Sequence, residues 1–343
     1  MPDLIITNMN RNFTGVSATA AAVLRQQMGQ YDLRLMGHPL PGGPDPISYK
    51  EAIALSRTPP PGRPFTIWHV RRNPEMRVAL WARDVLRLPI RIVFTSAAIR
   101  RHSAYPRWLI SRMDAVIATT EQAAGFVPHV RGVVPHGVET DRFTPATDRA
   151  HAWVDSGYPG TRGIATIGRI RPEKGTDRFV QAMIDVLPKH PDTTALVIGR
   201  ATKEHKNFLN DLKAQVAKAH LEDRILFPGE IAPDALPGLM RALSLVVQLP
   251  RYEGYGMTPL EGMASAVPFV ATDHGYYRHF SAQGQAGLIT ENAALDINAL
   301  LSDPARVARM SQTARDIAQT HFSIDQEATG IASVYEQLWK NET

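Results

Sequence analysis

At 343 residues, 44% hydrophobic and 21% charged, the chain has the composition of an ordinary globular protein, long enough for two lobes with a core each. It contains no cysteine, which excludes disulfides, thiolate metal ligands and a cysteine nucleophile. The net charge of +5 is uneven: residues 1–150 carry 19 Lys and Arg against 11 Asp and Glu, and ten arginines against two acids fall within 71–112.

Taken in chain order, the first residues, "MPDLIITNMNRNF", lack a basic segment followed by an apolar one. No apolar run approaches the ~18 residues of a membrane span, so a soluble, cytoplasmic protein is expected. Short β-branched runs then alternate with helical ones: "LIIT", "GVSATAAAVLRQQM", "LRLMG", "FTIWHV", "PEMRVALWARDVL", "RIVFTS", "AVIATT" and "GVVPHG". Such alternation implies βαβ units and a parallel sheet. The arginine-rich stretch within it reads as a solvated face or as a surface for anionic lipid, anionic glycan or nucleic acid. "FTPATDRAHAWVDSGYPGTRG" has turn residues and weak periodicity and is predicted to be a linker. The strand and helix pattern resumes at "IATIG" and runs to "PFVAT". Two doubly wound α/β lobes follow, 1–148 and 149–322, with a substrate cleft expected at the carboxyl ends of the strands. The last helix, within 323–343, has no strand after it and is expected to pack back on the N-terminal lobe.

Three strand ends of the second lobe carry glycine. "GIATIG" ends at Gly168 and is followed by Arg169 and Lys174 in "RIRPEKG"; two cations beside loop backbone suit a diphosphate. "ALVIGR" ends at Gly199 and Arg200, and "RILFPG" at Gly229, which suggests close backbone approach to a nucleotide. No G-x-G-x-x-G follows the first strand and no P-loop is present, so the dinucleotide and P-loop readings lose their support, and no Asp-x-Asp pair is there to hold a divalent cation on a diphosphate. In "RYEGYGMTPLEG" the helix is predicted to start with Thr258 as N-cap and Pro259 in its first position, Glu261 closing a capping box. Glu253 lies in the loop before it, beside the amides of Gly254, Tyr255, Gly256, Met257 and Thr258.

The E-x7-E of "EGYGMTPLEGMASAVPFVAT", with "GRIRPEKG" before it and "VVPHGVETDRF" further upstream, resembles the family 4 retaining glycosyltransferases of the GT-B fold. "IWHVRRNPEM", "RIVFTSAAIRRHSAYPRWLISRMDAVIATT", "GRIRPEKGTDRFV" and "VIGRATKEHKNF" together resemble the lipopolysaccharide core mannosyltransferases of alphaproteobacteria. That resemblance implies two Rossmann-like lobes facing each other across a cleft, and retaining transfer of mannose from GDP-mannose. The acceptor implied is an inner-core sugar of a lipid A precursor at the cytoplasmic face of the inner membrane. The nucleotide sugar is then a co-substrate, with no cofactor and no metal expected. The resemblance further places the ribose hydroxyls on Glu261 and the donor sugar on Glu253, with amides from Gly254 to Met257 on sugar and phosphate. Arg169 and Lys174 would meet the leaving diphosphate, and Gly15, in "FTGVSAT", would lie near it from the other lobe. Where relatives carry a His after the "FT" of a first-lobe strand, this chain has Ser96 and Ala97, which leaves His69, Arg71, Arg72 and His102 as acceptor-side candidates. Ala266 stands where Gly is usual. The alternatives are another donor, UDP-glucose or UDP-N-acetylglucosamine, or a different class altogether: a non-catalytic basic module for membrane or nucleic acid, with steeply salt-dependent binding.

Overall fold

The computed structural model describes residues 1–12 and 14–340. The chain divides into two units, one of residues 1–137 joined by those from Phe322 onward, the other Val138–His321. The sequence places this division at 148/149. The first unit runs β1 (Leu4–Asn8), α1 (Gly15–Gln27), β2 (Leu33–Gly37), α2 (Tyr49–Leu55), β3 (Thr66–Val70) and α3 (Asn73–Leu80). It continues through a π-helical turn (Trp81–Val85), β4 (Ile90–Ser96), α4 (Ala104–Ile110), β5 (Ala115–Ala118), α5 (Glu121–Ala124) and β6 (Val130–Val133). The second unit runs α6 (Arg149–Asp155), β7 (Arg162–Ile167), α7 (Thr176–Val186), β8 (Thr193–Ile198), α8 (Lys206–Lys218), β9 (Ile225–Gly229), α9 (Leu236–Ala242) and β10 (Leu243–Gln248). After these come α10 (Met257–Ala264), β11 (Phe269–Ala271), α11 (Tyr277–Ser281), β12 (Gly287–Ile289), α12 (Ala293–Leu301) and α13 (Pro304–His321). The final helix, α14 (Ile324–Lys340), belongs to the first unit; residues 341–343 of the segment assigned to it from sequence lie outside the described residues.

Both units are six-stranded sheets with every pair parallel, in the orders β2-β1-β3-β4-β5-β6 and β12-β11-β10-β7-β8-β9. Strands covered on both faces read as continuous apolar runs, which is why "LIIT" and "TIWHV" are buried at every position. In the first unit, α1 and α14 cover one face: Ile324, Ile331, Val334, Tyr335 and Trp339 pack with Leu4, Leu24 and Ile67. The other face is closed by α3 and α4 through Met76, Ala79, Leu109 and Ile110. In the second unit α7 buries Phe179, Val180, Met183 and Val186, the spacing of one helical face, against β7, β8 and β10.

The predicted linker is corrected at 149–155, where α6 forms. Asp148 caps it by accepting from the His151 amide at 3.0 Å, and Trp153, fully buried, lies where any side chain at Gly163 would have to go. Seven residues with a single anchoring indole are too short for a visible period. Among the described residues no helix is long and apolar enough to cross a membrane.

Candidate functional site

In the second unit the strand order reverses between β7 and β10, and open parallel sheets bind ligands beyond the carboxyl ends of such strands. The two loops there are 168–175 and 249–256. They are stitched together by Arg251, whose guanidinium donates to both Asp177 oxygens at 2.8 and 2.6 Å and to the Pro172 carbonyl at 2.5 Å. Its amide adds a bond to the Glu173 carbonyl at 2.8 Å. Gly175 sits at φ +67°, and a side chain there would run into the Leu249 carbonyl, so the loops touch backbone to backbone.

That contact brings Lys174 to Glu253, with Nζ 2.6 Å from Oε2 in a partly buried pair. Glu253 Oε1 accepts from the Gly254 amide at 3.0 Å, and the Tyr277 hydroxyl also bonds this carboxylate. Burial first, and the Glu253 charge second, push the Tyr277 phenol well above its ordinary pKa, so it stays a donor. The glycines at 168, 199 and 229 lie side by side, Gly168 donating to the Ile198 carbonyl and Gly199 to the Gly229 carbonyl at 2.9 and 2.8 Å. Arg169 is exposed and its side chain makes no hydrogen bond or ion pair among the described residues. Arg200 is more exposed than buried and lies 3.6 Å from Glu230.

The start predicted for α10 is corrected. The helix begins at Met257, and its N-cap is Gly256 at φ +98°, where a side chain would enter the Tyr277 ring. Thr258 and Pro259 are therefore its second and third residues, and no capping box forms. The early start turns the first-turn amides, from Met257 on, out of the helix ladder towards the loop. Tyr255 contributes only backbone, since its ring is buried and stacked on Tyr276 at 5.4 Å. Glu261, released from capping, is half-buried. Desolvation pushes its carboxyl up to about 7, against the pull of Arg142 and with a smaller push from Glu139. Arg142 itself is fixed by the Pro233 carbonyl at 2.7 Å and Asp234 at 3.3 Å.

In the first unit the candidates separate. His69 is fully buried, Nδ1 at 2.5 Å from the Tyr335 hydroxyl and Nε2 at 2.7 Å from Thr95 Oγ1. Burial, with Arg71 adding, holds it well below its ordinary pKa, so it is a neutral structural histidine. Arg72 is likewise committed, bonding Glu75, Asn8 and Ser17 at 3.0, 3.1 and 2.9 Å. Glu75 escapes the sequence reading although it organises this corner. Fully buried, it accepts from Thr7 Oγ1 and from the amides of Met9, Arg71 and Arg72 at 2.7 to 3.2 Å. Its signal was available: an acid at the third position of a helix whose second residue is Pro74. Arg71 and His102 are different, because Arg71 Nη1 and His102 Nε2 are buried with no partner among the described residues. Burial lowers the pKa of both groups. Gly15 opens α1 at the first βα turn and is exposed, with open space where a side chain would stand. Among the described residues no three His, Asp or Glu side chains cluster as metal ligands would.

Comparison with known proteins gives four further findings. The family model for glycosyl transferases group 1 matches residues 157–317. The chain is 41% identical, over 98% of both chains, to a Rhizobium meliloti protein named lipopolysaccharide core biosynthesis mannosyltransferase LpsB. It is 40% identical, again over 98% of both, to the Rhizobium leguminosarum protein named likewise LpcC. Among solved structures, Anabaena Alr3699/HepE in complex with UDP and glucose superposes with a TM-score of 0.82 over 98% of this chain and 100% of that one, at 16% identity, a likeness of fold.

Proposed function

Since this chain belongs to the group 1 glycosyl transferases, we propose that it moves mannose from GDP-mannose onto an inner-core sugar of a lipopolysaccharide precursor, without a metal. The observation that carries this reading is the 41% identity along 98% of both chains with a protein named lipopolysaccharide core biosynthesis mannosyltransferase.

The donor site proposed is the β7/β10 switch point. Breaking a sugar–diphosphate bond builds positive charge at the anomeric carbon and negative charge on the leaving phosphate. Arg169, Lys174 and the first-turn amides of α10 meet the latter, and one such preorganised donor is worth roughly 3–4 kcal/mol in the transition state. Lys174 and Glu253 neutralise each other in the free protein, so an arriving sugar diphosphate finds a cation for its phosphate and a carboxylate for its hydroxyls already in place. Glu261 accepts from the ribose diol. Retention follows from front-face attack in which the leaving phosphate takes the acceptor proton, and no protein nucleophile is needed. On the first unit, Arg71 and His102 are the acceptor-side groups, while His69 and Arg72 hold the strand ends that present them.

The test is a panel of GDP-mannose, UDP-glucose and UDP-N-acetylglucosamine, scored with chelator present for slow hydrolysis and for transfer to lipopolysaccharide precursor. GDP-mannose should be consumed in preference to the others. Consumption of a UDP-sugar alone would overturn the donor, and dependence on added metal would overturn the metal-free chemistry.

A further inference from the structure

The π-helical turn after α3 changes what that helix presents. Leu86 donates to the Trp81 carbonyl at 3.1 Å, five residues back, and Arg87 closes the turn at φ +55°. The extra residue in the turn swings the following side chains off the core-facing stripe. Trp81 is 45% exposed, and Val85 and Leu86 are exposed with it. Beside it on the same sheet face, α4 shows Tyr105 and Trp108, the latter 55% exposed, with rings stacked at 6.3 Å. Hollows of about 800 and 400 Å³ flank Trp108 on either side, the second reaching Phe126. Six of the thirteen exposed large hydrophobic side chains among the described residues thus belong to this part of the first unit.

Arginine surrounds them. Arg77 lines the larger hollow and Arg107 the smaller. Asp84 and Asp114, which border the face, are already covered: Arg83 reaches both at 2.8 and 2.7 Å, and Arg112 reaches Asp84 at 3.2 Å. We propose that this face docks on an anionic lipid bilayer, with Trp81, Tyr105 and Trp108 at the headgroup level and the arginines on lipid phosphates. Amphipathic aromatic rings and cations on one shallow surface match the interfacial zone of a bilayer. The same excess of positive charge opposes pairing with a second copy through this face. The inference rests on this surface and is independent of the donor.

The chain has five tryptophans, and Trp68, Trp153 and Trp339 are at most 2% exposed, so Trp81 and Trp108 alone report a change in surroundings. Phosphatidylglycerol-containing vesicles should shift the emission to the blue, and pure phosphatidylcholine vesicles should not. Trp81→Phe with Trp108→Phe should erase the shift. Trp81→Ala with Trp108→Ala should weaken co-sedimentation about tenfold or more, since apolar area and charge act together at the interface, with the circular dichroism unchanged. The proposal falls if anionic vesicles give no shift, if the double Phe variant keeps it, or if binding to neutral vesicles is as strong. It falls as well if the shift appears without lipid and grows with protein concentration, for then a second copy covers the face.

Discussion

Replacing Glu261 with Gln separates two quantities that its carboxylate couples. In the folded protein this group titrates at about 7 against an ordinary 4.5, because burial disfavours the charge. Between those values the folded state holds more protons than the unfolded one, so the group's contribution to stability declines as pH rises through that window and levels off above it. The full shift is worth about 3 kcal/mol; partial solvent screening reduces this to about 1–2 kcal/mol. Glutamine is neutral throughout. Glu261→Gln should match wild type near pH 4.5 and be about 1–2 kcal/mol more stable at pH 8, read as the difference in urea unfolding across pH. The same change should weaken nucleotide binding, because an amide has one acceptor oxygen and no charge for the ribose diol. Loss of charge-assisted bonds worth about 1.5–3 kcal/mol predicts roughly 10- to 150-fold weaker GDP binding by calorimetry at pH 8. Wild-type affinity should itself fall below pH 7 as the carboxyl protonates. Parallel stability curves for the two proteins would refute the buried carboxyl; undiminished GDP affinity would refute the ribose contact.

Lys174→Ala should lower kcat about 10²- to 10³-fold while shifting stability by less than about 1 kcal/mol, since the Lys174–Glu253 pair is partly solvated; steady-state kinetics beside a thermal melt would show it, and a kcat within about threefold of wild type would remove Lys174 from the reaction. Ala266 holds φ +56°, a conformation that costs a side chain and suits glycine. Ala266→Gly should therefore stabilise by about 0.5–1 kcal/mol in a melt, and a lowered midpoint would show that the position carries no strain.

The sheets were legible because their strands are buried on both faces and need continuous apolar, β-branched runs. The loops at 168–175 and 249–256 were legible for a related reason: glycines at strand ends stand out wherever two backbones meet, as Gly175 does against Leu249. What the sequence concealed depends on distant partners. Nothing near His69 announces that Tyr335, 266 positions away, seals it into a neutral role. Thr258 and Glu261 have the spacing of a capping box, yet the helix starts one residue ahead of Thr258 because Gly256 can adopt a positive φ beneath the Tyr277 ring. The π turn has no signature in "WARDV", and only the geometry of the Leu86 amide exposes it.

The placement of α14 sets an order on folding during synthesis. The first unit is begun before the second, but one side of its sheet lacks Ile331, Val334, Tyr335 and Trp339 until α14 has been made. Residues 138–321 possess their whole core before that helix leaves the ribosome, so the unit started second is finished first. Residues 1–137 wait with that face covered by α1 alone, and it is there that a chaperone would be needed. Truncation ahead of α14 would cripple the earlier-made unit and leave the later-made one whole.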